Sequence, residues 1–203
     1  MNAFSLRVIG NRLKKKGWEV IYWDYFSVFS SFDQNVDGLH RLWQKHMSDS
    51  THLLGHSLGG LLVLAMMNKY RLTHLPRTVL MGSPVNGSAV VKKMLLSRLG
   101  RFVLGKSAQP LLSGVSVDNH NGENSAAQNK IGVIIGSKEI GIGHLIQQLP
   151  KPHDGVVAFE EAKMETAEDQ IVLPVTHASM LISRKIPEVI DRYLSTGVFG
   201  LLD

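Results

Sequence analysis

The sequence predicts an α/β fold, a mostly parallel sheet with helices on both faces. Three observations carry this. Short runs of β-branched or apolar residues alternate along the chain with stretches of helical periodicity. Most of those runs are apolar at consecutive positions, as strands covered on both faces require. No self-similarity at solenoid periods interrupts the alternation. In such a sheet the ligand crevice lies outside the carboxyl ends of the strands.

Leu6, Ile9 and Leu13 stand at helical spacing in a segment that ends in Arg12 and Lys14 to Lys16 and stops at Gly17, so a helix opens the chain. Trp18-Glu19-Val20-Ile21-Tyr22-Trp23 is short, β-branched and aromatic, and predicts a strand ending near Asp24. Val36, Leu39, Trp43 and Met47 mark a second amphipathic helix. Thr51 to Gly55 reads as a buried strand, and the apolar run Leu58 to Tyr70 as a central, buried helix. Arg77 to Gly82 predicts another strand, and residues 88–104 a helix-like segment heavy in Val, Leu and Met. From about Gly105 to Lys130 the composition turns to Ser, Asn, Gln and Gly, a surface excursion. Ile131 to Gly136 and Ile171 to Val175 predict two further buried strands. Ile186, Val189, Ile190 and Tyr193, with Pro187 in the first turn, close the chain with a helix. The expected organisation is one α/β domain over residues 1–203 with a small cap or excursion at about 88–129.

Composition excludes several classes. A chain of 203 residues supports one sizeable core, and 44% hydrophobic with 19% charged residues does not describe a disordered, collagen-like or coiled-coil protein. With no Cys there are no disulfides, thiolate metal sites, iron–sulfur clusters or Cys nucleophiles. No H-x-x-E or H-E-x-x-H pattern argues for zinc, and no G-x-G-x-x-G or P-loop for a nucleotide, so no cofactor is expected. The net charge of +5 is small, and its basic residues are not interleaved with aromatics, so no nucleic-acid partner is expected. No stretch approaches the length of a membrane span, and the N-terminus lacks a signal-peptide plan; the chain as given reads as soluble and cytoplasmic.

After the Thr51 to Gly55 strand stands Gly55-His56-Ser57-Leu58-Gly59-Gly60, a G-x-S-x-G sequence directly before the buried helix. A turn this sharp needs glycines, because neighbouring side chains would collide, and it leaves Ser57 strained and exposed to the crevice. The amide of Leu58, at the helix N-terminus, would face negative charge developing on a substrate oxygen. A serine hydroxyl needs a histidine to take its proton, and that histidine needs a carboxylate. In this fold class the chain order is serine, acid, histidine. Asp154, in Pro152-His153-Asp154-Gly155-Val156-Val157, and His177, in Pro174-Val175-Thr176-His177-Ala178, satisfy that order. Asp169 is the alternative acid, and His153 replaces His177 only if its loop folds back. His56 is expected to point elsewhere, and Asp24 stands in the wrong chain order.

With these motifs placed, the chain resembles the α/β-hydrolase superfamily, and more closely its small bacterial lipase-like and acyltransferase-like members. Met81-Gly82-Ser83-Pro84-Val85-Asn86-Gly87-Ser88 is similar to their Gly-Thr-Pro-x-x-Gly-Ser segment, with Ser83 where Thr is usual. The Asp154-Gly155-Val156-Val157 loop and the Pro174 to His177 turn are similar to that group's acid and histidine motifs. The resemblance covers nearly the whole chain. It implies an esterase-type acyl-enzyme mechanism with Ser57, Asp154 and His177 as triad, a small-molecule or lipid ester as substrate, and acyl transfer or a catalytically silent binding module as alternatives. One departure bears on activity. These proteins have a strand ending in a His-Gly loop before the first helix, and a backbone amide of that loop is the second oxyanion donor. Here Met1 falls inside or just before that helix, so the expectation is a start at an internal methionine of a longer protein, whose missing segment would also carry any signal peptide.

Two weaker features complete the reading. Val90, Val91, Met94, Leu95, Leu99, Phe102 and Val103, edged by Lys92, Lys93, Arg98 and Arg101, form a core-covering helix or, alternatively, a lid or peripheral membrane contact for anionic lipid. Asp118 to Glu123 lacks the spaced acidic ligands of a calcium loop and reads as a solvated loop.

Overall fold

Four parallel strands, β1 (Leu53–His56), β2 (Thr78–Met81), β3 (Ile131–Gly136) and β4 (Asp169–Leu173), lie side by side in the order in which the chain makes them. They belong to a computed structural model that describes residues 6–25, 30–72, 77–96, 110–115, 130–141 and 148–200. Helices α1 (Arg7–Lys14), α2 (Phe32–His46), α3 (Leu58–Tyr70), α4 (Ala89–Met94), α5 (Pro110–Ser113), α6 (Phe159–Ala162) and α7 (Lys185–Thr196) accompany them. Parallel neighbours cannot be joined by a tight hairpin, so a crossover joins each strand to the next.

The period of two along a strand splits the core into two layers. Leu80 of β2 and Ile131, Val133 and Ile135 of β3 face α2 and α3, packing on Leu61, Leu62 and Trp43. Val79, Met81 and Ile134 face the other way, onto Ile9 and Leu13 of α1 and Ile190 and Tyr193 of α7. Helix α3 buries residues on every side, among them Leu58, Leu62, Val63 and Met66, because α2 covers the face that the sheet does not. A capping box starts α2: Gln34 N–H donates to Ser31 Oγ and Ser31 N–H to Gln34 Oε1. Gly197, at φ 87°, ends α7 with its N–H donated to the Tyr193 carbonyl.

The structure corrects four expectations. Residues 18–23 form no strand. Their side chains do divide by parity: Trp18 and Val20 pack in the α1–α7 layer, and Trp23 and Tyr25 in the α2–α3 layer. Among the described residues, however, no backbone hydrogen bond links residues 19–23 to another segment. Side-chain partition without a ladder partner is not a strand, and β1 is left at the edge of the sheet. At the opposite edge β4 begins two residues earlier than expected, and its Gln170 and Val172 are exposed, since an edge strand is covered less fully than a central one. Met47 lies past the end of α2 and is 57% exposed. The polar excursion contains α5, whose Leu111 is buried in the α2–α3 layer. Within the helix-like segment 88–104, α4 buries Val90 and Val91 and exposes Lys92 and Lys93, as a core-covering helix does. Leu99, Phe102, Val103 and the Asp118 to Glu123 loop lie outside the described residues.

Candidate active site

Ser57 occupies the single residue between β1 and α3. Its φ of 54° and ψ of −125° lie where a residue with a side chain is strained. The surrounding contacts impose that conformation. Ser57 N–H donates to the Met81 carbonyl at the end of β2 (2.9 Å), and Gly60 N–H donates to the Ser57 carbonyl (3.0 Å). A Cβ on Gly55 would stand 2.5 Å from Gly60 Cα, and one on Gly60 would stand 2.1 Å from Ser83 Oγ. Strand, helix and the next strand thus approach too closely for anything but glycine at either position. Leu58 is the first residue of α3, so its N–H has no intrahelical acceptor. The Ser57 hydroxyl makes no hydrogen bond among the described residues.

Asp154 is 1% exposed and its carboxylate receives three donors. Val156 N–H (2.9 Å) and Val157 N–H (2.7 Å) donate to Oδ1, and His177 Nδ1–H donates to Oδ2 (2.7 Å). The two loops are also joined through the main chain, His177 N–H donating to the Asp154 carbonyl (2.8 Å). Two glycines seat the pair over the carboxyl ends of the strands. A Cβ on Gly136, the last residue of β3, would lie 2.7 Å from Asp154 Cβ. One on Gly82, just past β2, would lie 3.1 Å from both Asp154 Oδ2 and His177 Nδ1. A carboxylate only accepts, so Nδ1 of the imidazole carries a proton, and whenever the ring is neutral it is Nε2 that presents the lone pair.

His56 does not point away from this pair. It is 6% exposed, its ring lies 4.6 Å from that of His177 centroid to centroid, and its Nε2–H donates to the His177 carbonyl (3.2 Å). Burial, reinforced by neighbouring His177, pushes its pKa down to about 3, so it is neutral at ordinary pH. Sequence position hides this contact, because a residue beside the serine gives no sign of which loop its ring will meet.

The alternatives are placed elsewhere. Asp169 stands at the amino end of β4, accepting from Phe199 N–H (2.6 Å) and Gln170 N–H (2.8 Å). His153 is buried within its own loop, where its Nδ1 accepts from Gly155 N–H (3.0 Å). Ser83 is wholly buried against Gly60, its Oγ donating to the Met81 carbonyl (3.4 Å). The segment after it braces the acid loop. Asn86 Nδ2 donates to the Glu160 and Lys163 carbonyls, while Glu161 accepts from the Ala89 and Ala158 amides. A groove of about 560 Å³ runs along β4 between Asp169 and Pro174 on one side and Val198 to Gly200 on the other, and Ser57, Asp154, His177 and His56 do not line it. Among the described residues no cluster of three or more His, Asp or Glu is placed to hold a metal ion.

No family model matches the chain, and no curated protein matches it by sequence. Solved structures do match it. The mature lipase BlEst2 of Bacillus licheniformis is 17% identical, with a TM-score of 0.68 over 91% of this chain and 82% of that one. An esterase from Exiguobacterium antarcticum is 16% identical, with a TM-score of 0.64 over 96% of this chain and 88% of the other. A meta-cleavage product hydrolase from Pseudomonas fluorescens is 16% identical, with a TM-score of 0.55 over 96% and 84%. At these identities the likeness concerns architecture. Parallel strand order, helices on both faces and these neighbours establish that the chain has the α/β-hydrolase fold.

Proposed function

We propose that the protein is a serine hydrolase of lipase or esterase type, cleaving a small-molecule or lipid carboxylic ester through an acyl-enzyme on Ser57. The observation that carries the proposal is the Asp154–His177 pair, Nδ1 to Oδ2 2.7 Å, at the same end of the sheet as the strained turn that holds Ser57. The lipase and the esterase among the structural neighbours support the same reading.

In this mechanism His177 Nε2 takes the Ser57 Oγ proton as Oγ adds to the ester carbonyl carbon. The carbonyl electron pair moves onto oxygen, where the Leu58 N–H and the N-terminus of α3 stabilise it. Asp154 holds the tautomer and stabilises the imidazolium without taking its proton. Collapse of the tetrahedral adduct breaks the bond to the alcohol oxygen, which leaves with the proton from Nε2. Water then gives a proton to the same nitrogen as its oxygen attacks the acyl carbon, and collapse breaks the bond to Ser57 Oγ, which takes the proton back from Nε2 as the acid is released. An alcohol acceptor in place of water makes the same cycle an acyl transfer. No step requires a cofactor.

A fluorophosphonate probe tests this. Folded wild-type protein becomes covalently labelled and Ser57→Ala, with an unchanged circular dichroism spectrum, does not. Folded wild-type protein that resists the probe and turns over no nitrophenyl ester overturns the proposal in favour of a silent binding module.

A further inference from the structure

We propose that His56 is a positioning residue, tying the main chain of His177 to the strand that carries Ser57 and so setting the distance between base and hydroxyl. The proposal rests on the function inferred above. Asp154 and His177 bind one another through both side chain and main chain, so the pair is coherent within itself. It needs a link to the nucleophile as well. Among the described residues, the hydrogen bond joining the β1–Ser57 segment to the His177 turn is the one from His56 Nε2–H to the His177 carbonyl, at 3.2 Å. His56 is the residue immediately before Ser57, so a single peptide unit connects this anchor to the nucleophile.

The chemistry of the contact suits a fixed role. A carbonyl only accepts, so Nε2 must carry the His56 proton. Its ring is 6% exposed, and the low dielectric around it both strengthens the bond and keeps the ring uncharged. Neutrality matters to the neighbour. With 4.6 Å between ring centroids, a charge on His56 would oppose the imidazolium that forms on His177 during turnover. Both main-chain polar groups of His177 are thereby engaged, the N–H by Asp154 and the carbonyl by His56.

Side chains of matched size test the bond itself. Gln places an N–H at the reach of the histidine Nε2, Met has the same length without a donor, and Asn donates from a shorter stem. His56→Met and His56→Asn are each expected to lower kcat for a nitrophenyl ester by about ten- to a hundredfold with KM nearly unchanged, the cost of misplacing a reacting group by roughly 1 Å. His56→Gln is expected to restore most of that loss. Proton NMR gives a second readout that needs no turnover: the downfield resonance of His177 Nδ1–H bound to Asp154 is sharp in wild type and Gln, and broadened in Met and Asn. Equal kcat in wild type and Asn, or Met and Gln variants that behave alike in both measurements, overturns the proposal. If Met fails to fold, the Asn and Gln pair decides. Should wild type prove inactive, the function reading fails, and the NMR comparison still reports on the positioning role.

Discussion

The turn that carries Ser57 and the loops that carry Asp154 and His177 meet at one end of the sheet, yet different forces hold them there. Steric exclusion dominates at Ser57: Gly55 and Gly60 approach atoms where no side chain fits, and the strained φ of 54° persists because strand and helix over-determine it. Hydrogen bonding dominates at the loops, where three N–H groups converge on the Asp154 carboxylate. The lesson is that the proposed nucleophile is positioned by shape and its proposed base by charge and direction, so the two halves should fail differently.

The largest effect is expected from Asp154→Asn. The Asn oxygen would stay on the Val156 and Val157 N–H groups, so its NH2 would face His177 Nδ1 and favour the wrong tautomer; kcat for ester hydrolysis should fall about 10⁴-fold, equivalent to about 5.5 kcal/mol at the transition state. Steady-state kinetics on protein that still unfolds cooperatively would check it, and a loss below tenfold would separate Asp154 from the chemistry. Next is Gly55→Ala. Its Cβ would meet backbone atoms of Gly60 at 2.5 and 2.6 Å, so the turn must shift, and urea titration should show a loss of about 3 kcal/mol accompanied by loss of probe labelling at Ser57. The smallest is Asp169→Asn. It weakens the bonds from Phe199 and Gln170 N–H groups at the far end of β4, and should cost about 1–2 kcal/mol of stability. Hydrolysis by the folded variant should stay within about twofold of wild type; a drop as large as that of Asp154→Asn would revive Asp169 as the acid.

How much was readable from sequence follows the same division. The Ser57 turn is local: strand, glycines and helix fall within a few consecutive residues, so sterics can be argued from the letters alone. Asp154 and His177 were identifiable as candidates by chain order and by their place after strands, but their contact spans 23 residues and depends on how two loops fold onto Gly82 and Gly136. The part played by His56 was invisible, because burial against a distant main-chain carbonyl leaves no pattern in adjacent residues. Residues 18–23 teach the converse. Aromatic and β-branched side chains signal a half-buried segment, and this one is half-buried, but propensity carries no information on whether a ladder partner stands beside it.

That β1 lies at the margin of the sheet formed by the described residues has a mechanical consequence. Leu53 and Ser57 donate their amides towards β2, which leaves the amides and carbonyls of Leu54 and His56 turned to the opposite side. A strand moored along one flank is compliant by itself. The stillness of the Ser57 turn is therefore borrowed from α3, whose Leu61, Leu62, Leu64 and Met66 are fully enclosed and whose first turn grows directly out of Ser57.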